Sequence, residues 1–162
     1  MPEWMPALLL TTLLGAGLIG GVFFAFSSFV MAALKRLPSA EGTRAMQWIN
    51  VTVLNWHFLG AFFGTGVLSL GVAILGARYW GVSGSLPMVV GGVSYVLGTF
   101  GVTVACNVPR NEALAKLEAG TSEADALWQQ YLVQWTFWNH VRTVAALLAC
   151  GCLGWALWQL EG

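Results

Sequence analysis

Polar and apolar positions fall along this chain in long blocks. No charged side chain lies between Glu3 and Lys35, between Arg44 and Arg78, or between Arg78 and Arg110, runs of 31, 33 and 31 residues. A further 18 uncharged residues separate Arg142 from Glu161. A helix needs roughly 20 apolar residues to cross about 30 Å of hydrocarbon. The blocks therefore predict four membrane-spanning helices, at about residues 6–34, 55–78, 87–106 and 138–160.

The segments between the blocks read as short amphipathic helices and turns. Lys35-Arg36-Leu37-Pro38 stops the first span, because charge and proline both oppose continuation. In Ser39–Leu54 the polar residues Glu41, Arg44 and Gln47 alternate with Ala45, Met46, Trp48 and Ile49, a pattern suited to a helix at the membrane interface. Tyr79–Ser85 is a short turn rich in Gly and Ser, and Pro87 suits the first turn of the third span. Asn107-Val108-Pro109 predicts the end of that span. Asn111–Ala119 then forms a short amphipathic helix closed by Gly120. Thr121, with Ala124 three residues on, predicts the cap of a helix running into the fourth span. The fold expected is all-α: a single domain over residues 1–162, an integral membrane four-helix bundle with short amphipathic helices in its two long loops.

Composition narrows the function classes. Hydrophobic residues make up 57% of the chain and charged residues 9%, against about 25% in a soluble domain. The mean hydropathy is +0.72. With the four apolar stretches, these values exclude a soluble enzyme domain, a nucleic-acid binder with a basic face and a disordered chain; a net charge of zero gives no steering toward an acidic or basic partner. The first block has no basic start and is longer than a signal-peptide core, so it reads as a retained helix. Cys106, Cys150 and Cys152 form no Cys-x-x-Cys pair and read as small packing residues. Lys35, Arg36, Arg44, Arg110 and Lys116 fall on one side of the expected bundle and Arg78 on the other. That asymmetry predicts a multi-pass protein with both long loops in the cytoplasm and both termini outside. Tryptophans near both ends of the spans support the same boundaries. Gly17/Gly21 and Gly60/Gly64 make strips where helix backbones can approach, read first as packing within the bundle and second as a homo-oligomer contact.

In an apolar bundle the polar exceptions carry the chemistry. They are densest in Trp135-Thr136-Phe137-Trp138-Asn139-His140-Val141-Arg142-Thr143. Trp135, Trp138, Asn139, Arg142 and Ala146 share one helical stripe. Arg142 lies a turn inside the expected boundary, so it snorkels to phosphates or holds an anionic oxygen. His57 and His140 are expected at similar depth, as a general base, as structural histidines, or as ligands of a haem or metal. Two histidines alone make a thin metal site. Asn107 and Asn111, with Asn50, are placed to face the same cavity.

The sequence resembles the anthrone oxygenase family, small four-helix membrane proteins. The resemblance rests on Asn107-Val108-Pro109-Arg110-Asn111 and on Trp138-Asn139-His140-Val141-Arg142-Thr143. Gly20–Phe26 and Ala45–Asn50 add to it. The family motif carries over onto Asn107, Pro109, Asn111, Trp138, Asn139, His140 and Arg142. The resemblance implies a bacterial inner-membrane location and the oxidation of an anthrone-like phenol to a quinone by dioxygen. Such chemistry needs a base, an oxyanion donor and an aromatic slot, and no cofactor. His140 or His57 is expected as base, with Arg142, Asn139 and Asn111 at the oxyanion. Trp135, Trp138 and Phe137, with Asn107, Asn50 and His57, are expected around a small aromatic or quinone-like ligand. The alternatives are a haem or metal protein using His57 and His140, and a bundle that binds quinone or lipid without turnover.

Overall fold

The structure, a computed structural model, describes the backbone of residues 1–161 and the side chains of residues 1–160. Five helices make up the described residues: α1 (Met5–Leu34), α2 (Ser39–Thr52), α3 (Trp56–Arg78), α4 (Ser85–Ala115) and α5 (Ser122–Glu161). All but α2 are long and apolar enough to cross a membrane, so this is a multi-pass membrane protein. Its outward surface agrees. Leu14, Leu18, Val67, Ile74, Leu97 and Val144 are exposed along the four long helices, where a soluble protein would carry polar side chains. Glu161, the charge that closes the last uncharged run, ends α5, and its side chain lies outside the described residues.

Local chemistry sets the helix ends. The Asn55 side chain accepts the Phe58 N–H at 3.0 Å and starts α3. Thr121 Oγ1 accepts the Ala124 N–H at 3.2 Å and starts α5, as its sequence position predicts. Gly120, at φ +100°, makes the left-handed turn before it, which a side chain would strain. α5 is one unbroken helix of 40 residues, about 60 Å long at 1.5 Å per residue. It therefore projects well beyond a bilayer core of about 30 Å.

Two expectations are corrected. The third long helix does not stop at Asn107 but continues to Ala115, so Asn111 belongs to α4 and not to a separate loop helix. The physical reason lies in the backbone just before Pro109. Residues 94–101 and 103–107 form wide π-helical turns, and the Val108 N–H bonds back five residues to the Thr103 carbonyl. Pro109 thus falls at the second residue of a fresh α-helical segment, where its missing N–H costs little. The second correction concerns glycine. A Cβ at Gly21, Gly60 or Gly64 would meet nothing within 4 Å, and of the two strips only Gly17 faces a neighbour, with its Cβ 3.7 Å from Cys150 Sγ of α5, an ordinary contact that needs no glycine.

Other glycines are needed for packing. A Cβ on Gly92 of α4 would come 2.8 Å from the Ala73 Cβ and 2.9 Å from the Ala73 nitrogen of α3, and closer still to the Ser69 carbonyl. Backbone atoms cannot step aside. Gly92→Ala is expected to lower stability by about 1–3 kcal/mol, in the range of overpacked cores. Gly64→Ala is expected to change it by less than about 0.5 kcal/mol. Thermal unfolding in detergent, followed by circular dichroism, checks the pair.

Inside the bundle, α5 packs along α1 and α4, and α3 packs on α4 and α1. The core comes in three layers. Met5, Leu9, Val72, Met88 and Leu153 fill the end nearest the termini. Ile19, Phe23, Phe62 and Tyr95 fill the middle. Met31, Met46, Leu114, Trp128, Tyr131 and Trp135 fill the end where the long loops meet. The polar cluster lies between the second and third layers.

Candidate active site

The α5 stripe is built as helical spacing dictates. Trp135, Asn139, Arg142 and Ala146, at i, i+4, i+7 and i+11, are all buried against the other helices. Asn139 is the clip. Its amide donates to the Phe23 carbonyl at 2.8 Å and to Ser27 Oγ at 2.6 Å on α1. Its Oδ1 accepts from Arg142 Nε at 2.9 Å. Thr143 Oγ1 lies 3.0 Å from Ser27 Oγ and donates to the Asn139 carbonyl at 2.7 Å, closing the network.

Arg142 is 5% exposed and its hydrogen-bond partners are neutral. Besides Asn139 it donates through Nη1 to Thr103 Oγ1 on α4 at 3.3 Å. A guanidinium carries five N–H donors, so several remain for a ligand. The cation is cushioned by rings: its Cζ lies 3.9 Å from the Phe23 centroid and 4.8 Å from that of Trp135. Cation–π contacts of this kind contribute about 2 kcal/mol or more when desolvated. They hold a charge in an apolar site without neutralising it. Ser27 and Thr103 both sit in π-helical turns, residues 26–30 and 103–107. Such turns are frequent where a helix must aim a functional group.

A second polar group stands beside the first. Asn111 Oδ1 accepts from Tyr131 Oη and from Trp135 Nε1, both at 2.8 Å. Asn50 of α2 reaches Tyr131 Oη at 3.5 Å. Trp128, Tyr131 and Trp135 stack in succession along α5, with centroids 5.7 and 5.8 Å apart. Asn107 is buried and donates to the Trp135 carbonyl at 3.2 Å, tying α4 to α5.

All five helices enclose a cavity of about 400 Å³ around these groups. Clefts that hold small organic ligands run from roughly 300 to 1,000 Å³. Phe23, Phe26, Phe58, Phe62 and Trp135 supply aromatic wall, and Arg142, Thr103, Asn50, Gln47 and Asn111 supply polar contacts. Glu112 is the one other ionisable side chain among the described lining residues. Exposed Val51, Phe63 and Val104 form an apolar rim. Two further concavities, beside the residue 80–87 turn and beside Arg44, contain no buried charge.

The cavity thus gathers Arg142, Asn111, Trp135 and Asn50 from the sequence-predicted set. Asn139 and Asn107 lie behind its wall as supports. Four expected neighbours, His140, Phe137, Trp138 and His57, are elsewhere. His140 is exposed, because it sits two residues before Arg142, about 200° around a helix of 3.6 residues per turn. Phe137 is 56% exposed and Trp138 is half-buried, packed edge-on against each other outside the lining. His57 is exposed at the start of α3 and stacks on Trp56, with centroids 3.6 Å apart. Among the described residues no three His, Cys, Asp or Glu side chains come together as a metal site.

Sequence reasoning missed Phe23, Ser27, Thr103 and Glu112. Phe23, Ser27 and Thr103 carry no signal of their own, being ordinary residues of an apolar span. Glu112 had one. Carrying the helix through Pro109 sets Val108, Asn111, Glu112 and Ala115 on one face, and all four line the cavity.

The anthrone oxygenase family model matches residues 54–152. The chain belongs to the anthrone oxygenase family. The match covers α3, α4 and α5 as far as Cys152, and so takes in Asn111, Trp135, Asn139 and Arg142. The family segment therefore holds the cation and its clip, while Phe23, Ser27 and Asn50 come from the part of the chain before it. No curated protein and no solved structure matches the chain.

Proposed function

We propose that the cavity binds an anthrone-like polycyclic phenol and that the protein oxidises it to a quinone with dioxygen, without a bound cofactor. One observation carries this reading: a buried arginine with neutral partners, held between aromatic rings, lines an apolar cavity. An unpaired cation at such a place is costly unless an anion meets it. Membership of the anthrone oxygenase family supplies the class of anion. An anthrone is flat and apolar, which suits the aromatic walls. Losing a proton turns its carbonyl into an oxyanion, and the resulting enolate passes an electron to dioxygen directly. Arg142 stabilises that oxyanion, Asn139 fixes the guanidinium, and Asn111 fixes Trp135 at the wall. The rim of Val51, Phe63 and Val104 admits the ligand from an apolar phase. Five basic residues near this end, against Arg78 at the other, orient the cavity toward the cytoplasm with both termini outside.

The purified protein in detergent is expected to consume oxygen with anthrone and to release anthraquinone, followed by its absorbance. His140→Ala is expected to retain that turnover, since the side chain is exposed and outside the cavity lining. No oxygen uptake above the buffer rate would sink the reading, and a His140→Ala variant that binds anthrone but fails to turn over would return the base to the helix face opposite Arg142.

A further inference from the structure

Oxidation of an anthrone begins with removal of a proton from carbon, and the two histidines expected to take it do not line the cavity. We infer that Glu112 is the catalytic base, an inference that rests on the function proposed above. The cavity-lining side chains include two ionisable ones, Glu112 and Arg142. Arg142 is buried and directs its donors to Asn139 and Thr103, not to Glu112. The cavity is therefore bipolar, with a buried cation at one place and a carboxylate at another, and an apolar volume of about 400 Å³ between aromatic walls. A ligand that fits it has an acidic hydrogen on one side and an oxygen that takes up negative charge on the other. An anthrone has both, because its methylene hydrogens and its carbonyl lie across the central ring.

The position of Glu112 suits a base that must reset. It stands one residue after Asn111 on the cavity face of α4, and it is exposed. A residue that both lines the cavity and is open to the outside can pass on a proton taken from the ligand.

The steps balance without an added reductant. Glu112 takes one methylene proton, and the C–H electron pair moves through the ring to the carbonyl oxygen beside Arg142. The enolate passes one electron to dioxygen, and the two radicals join in a C–O bond. The resulting peroxide anion takes the proton back from Glu112. Glu112 then takes the second hydrogen of the same carbon as a proton, its electron pair forms the new C=O bond, and the O–O bond breaks. The departing hydroxide takes that proton and leaves as water. The substrate loses four electrons and dioxygen gains them; one oxygen atom enters the quinone and the other enters water.

Proton removal is read separately from oxidation by incubating anthrone without oxygen in deuterated buffer and following exchange of its methylene hydrogens. The wild-type protein is expected to accelerate exchange above buffer. Glu112→Gln is expected to lose roughly 10²–10⁴-fold of that acceleration and of aerobic oxygen uptake, the usual worth of a positioned base. Its affinity for anthrone, read from tryptophan quenching, stays unchanged. Glu112→Asp retains part of the rate, formate restores part of it to Glu112→Ala, and Glu118→Gln, outside the cavity lining, behaves as wild type. A wild-type protein that oxidises anthrone together with an equally active Glu112→Gln overturns the base and leaves the proposed function standing. Loss of binding along with rate in Glu112→Gln, without rescue in Glu112→Ala, also overturns it. A wild-type protein with neither exchange nor oxygen uptake overturns the proposed function, and the base with it.

Discussion

Arg142→Met is expected to remove turnover without loosening the bundle. Removing one oxyanion donor costs roughly 10²–10³ in kcat in enzymes that rely on such donors. Arg142 is the only cation among the described residues lining the cavity, so the loss is expected at or above the top of that range. Stability should not follow. A buried charge pays a desolvation penalty of several kcal/mol, and replacement by an apolar side chain of similar volume is often neutral or stabilising. Against that gain stands Asn139 Oδ1, which loses its donor. A buried acceptor left unsatisfied costs about 1–3 kcal/mol. The two terms are of similar size, so the melting temperature of Arg142→Met should remain near that of wild type or rise.

Arg142→Lys separates charge from shape. An ammonium keeps the positive charge but lacks the planar fork that reaches Asn139 and Thr103 together while lying against Phe23. Its activity is expected between those of wild type and Arg142→Met. Oxygen uptake with anthrone and thermal unfolding in detergent, measured on the same preparations, test the series. Parallel loss of stability and activity in Arg142→Met would make the arginine a structural element.

That Arg142 is the residue to test is legible in the sequence alone. It is the one charge that lies neither in a loop nor at the end of a span, and charge spacing alone isolates it. The four long helices were legible for the same reason, since the hydrocarbon core demands uninterrupted apolar runs and the chain supplies four. The rest depended on facts that spacing does not carry. Proline and asparagine at residues 107–109 read as a stop, yet the wide turns before them remove the need for the proline's N–H. Ending the helix there hid that Glu112 shares the cavity face of Asn111. His140 was drawn into the site by its neighbours in sequence, although a step of two residues places it across the helix from Arg142. Regular Gly-x-x-x-Gly spacing picked out four glycines of which three, Gly21, Gly60 and Gly64, meet nothing, while the close contact at Gly92 depends on how α3 and α4 approach. Periodicity tells which residues share a face; it does not tell which face finds a partner.

Trp135 joins these levels, and its truncation should cost the most stability. It is buried, stacks on Tyr131 at 5.8 Å, meets Phe26 at 5.6 Å and supports the Arg142 guanidinium. Its Nε1 also donates to Asn111. Trp135→Ala is expected to destabilise the protein by about 3–5 kcal/mol, as large aromatic truncations in cores do. It also opens the cavity where the aromatic wall should hold a flat ligand, so anthrone affinity should fall with it. Trp135→Phe keeps an aromatic face and loses the hydrogen bond to Asn111, a change of about 0.5–1.5 kcal/mol. Asn111 Oδ1 retains Tyr131 Oη as a donor in both variants, so the acceptor is not orphaned and the difference between them reports the ring itself. Thermal unfolding and tryptophan-independent binding, by equilibrium dialysis with anthrone, measure the two effects. Equal destabilisation by Ala and Phe would show that the hydrogen bond, and not the packed ring, holds α4 and α5 together at the cavity wall.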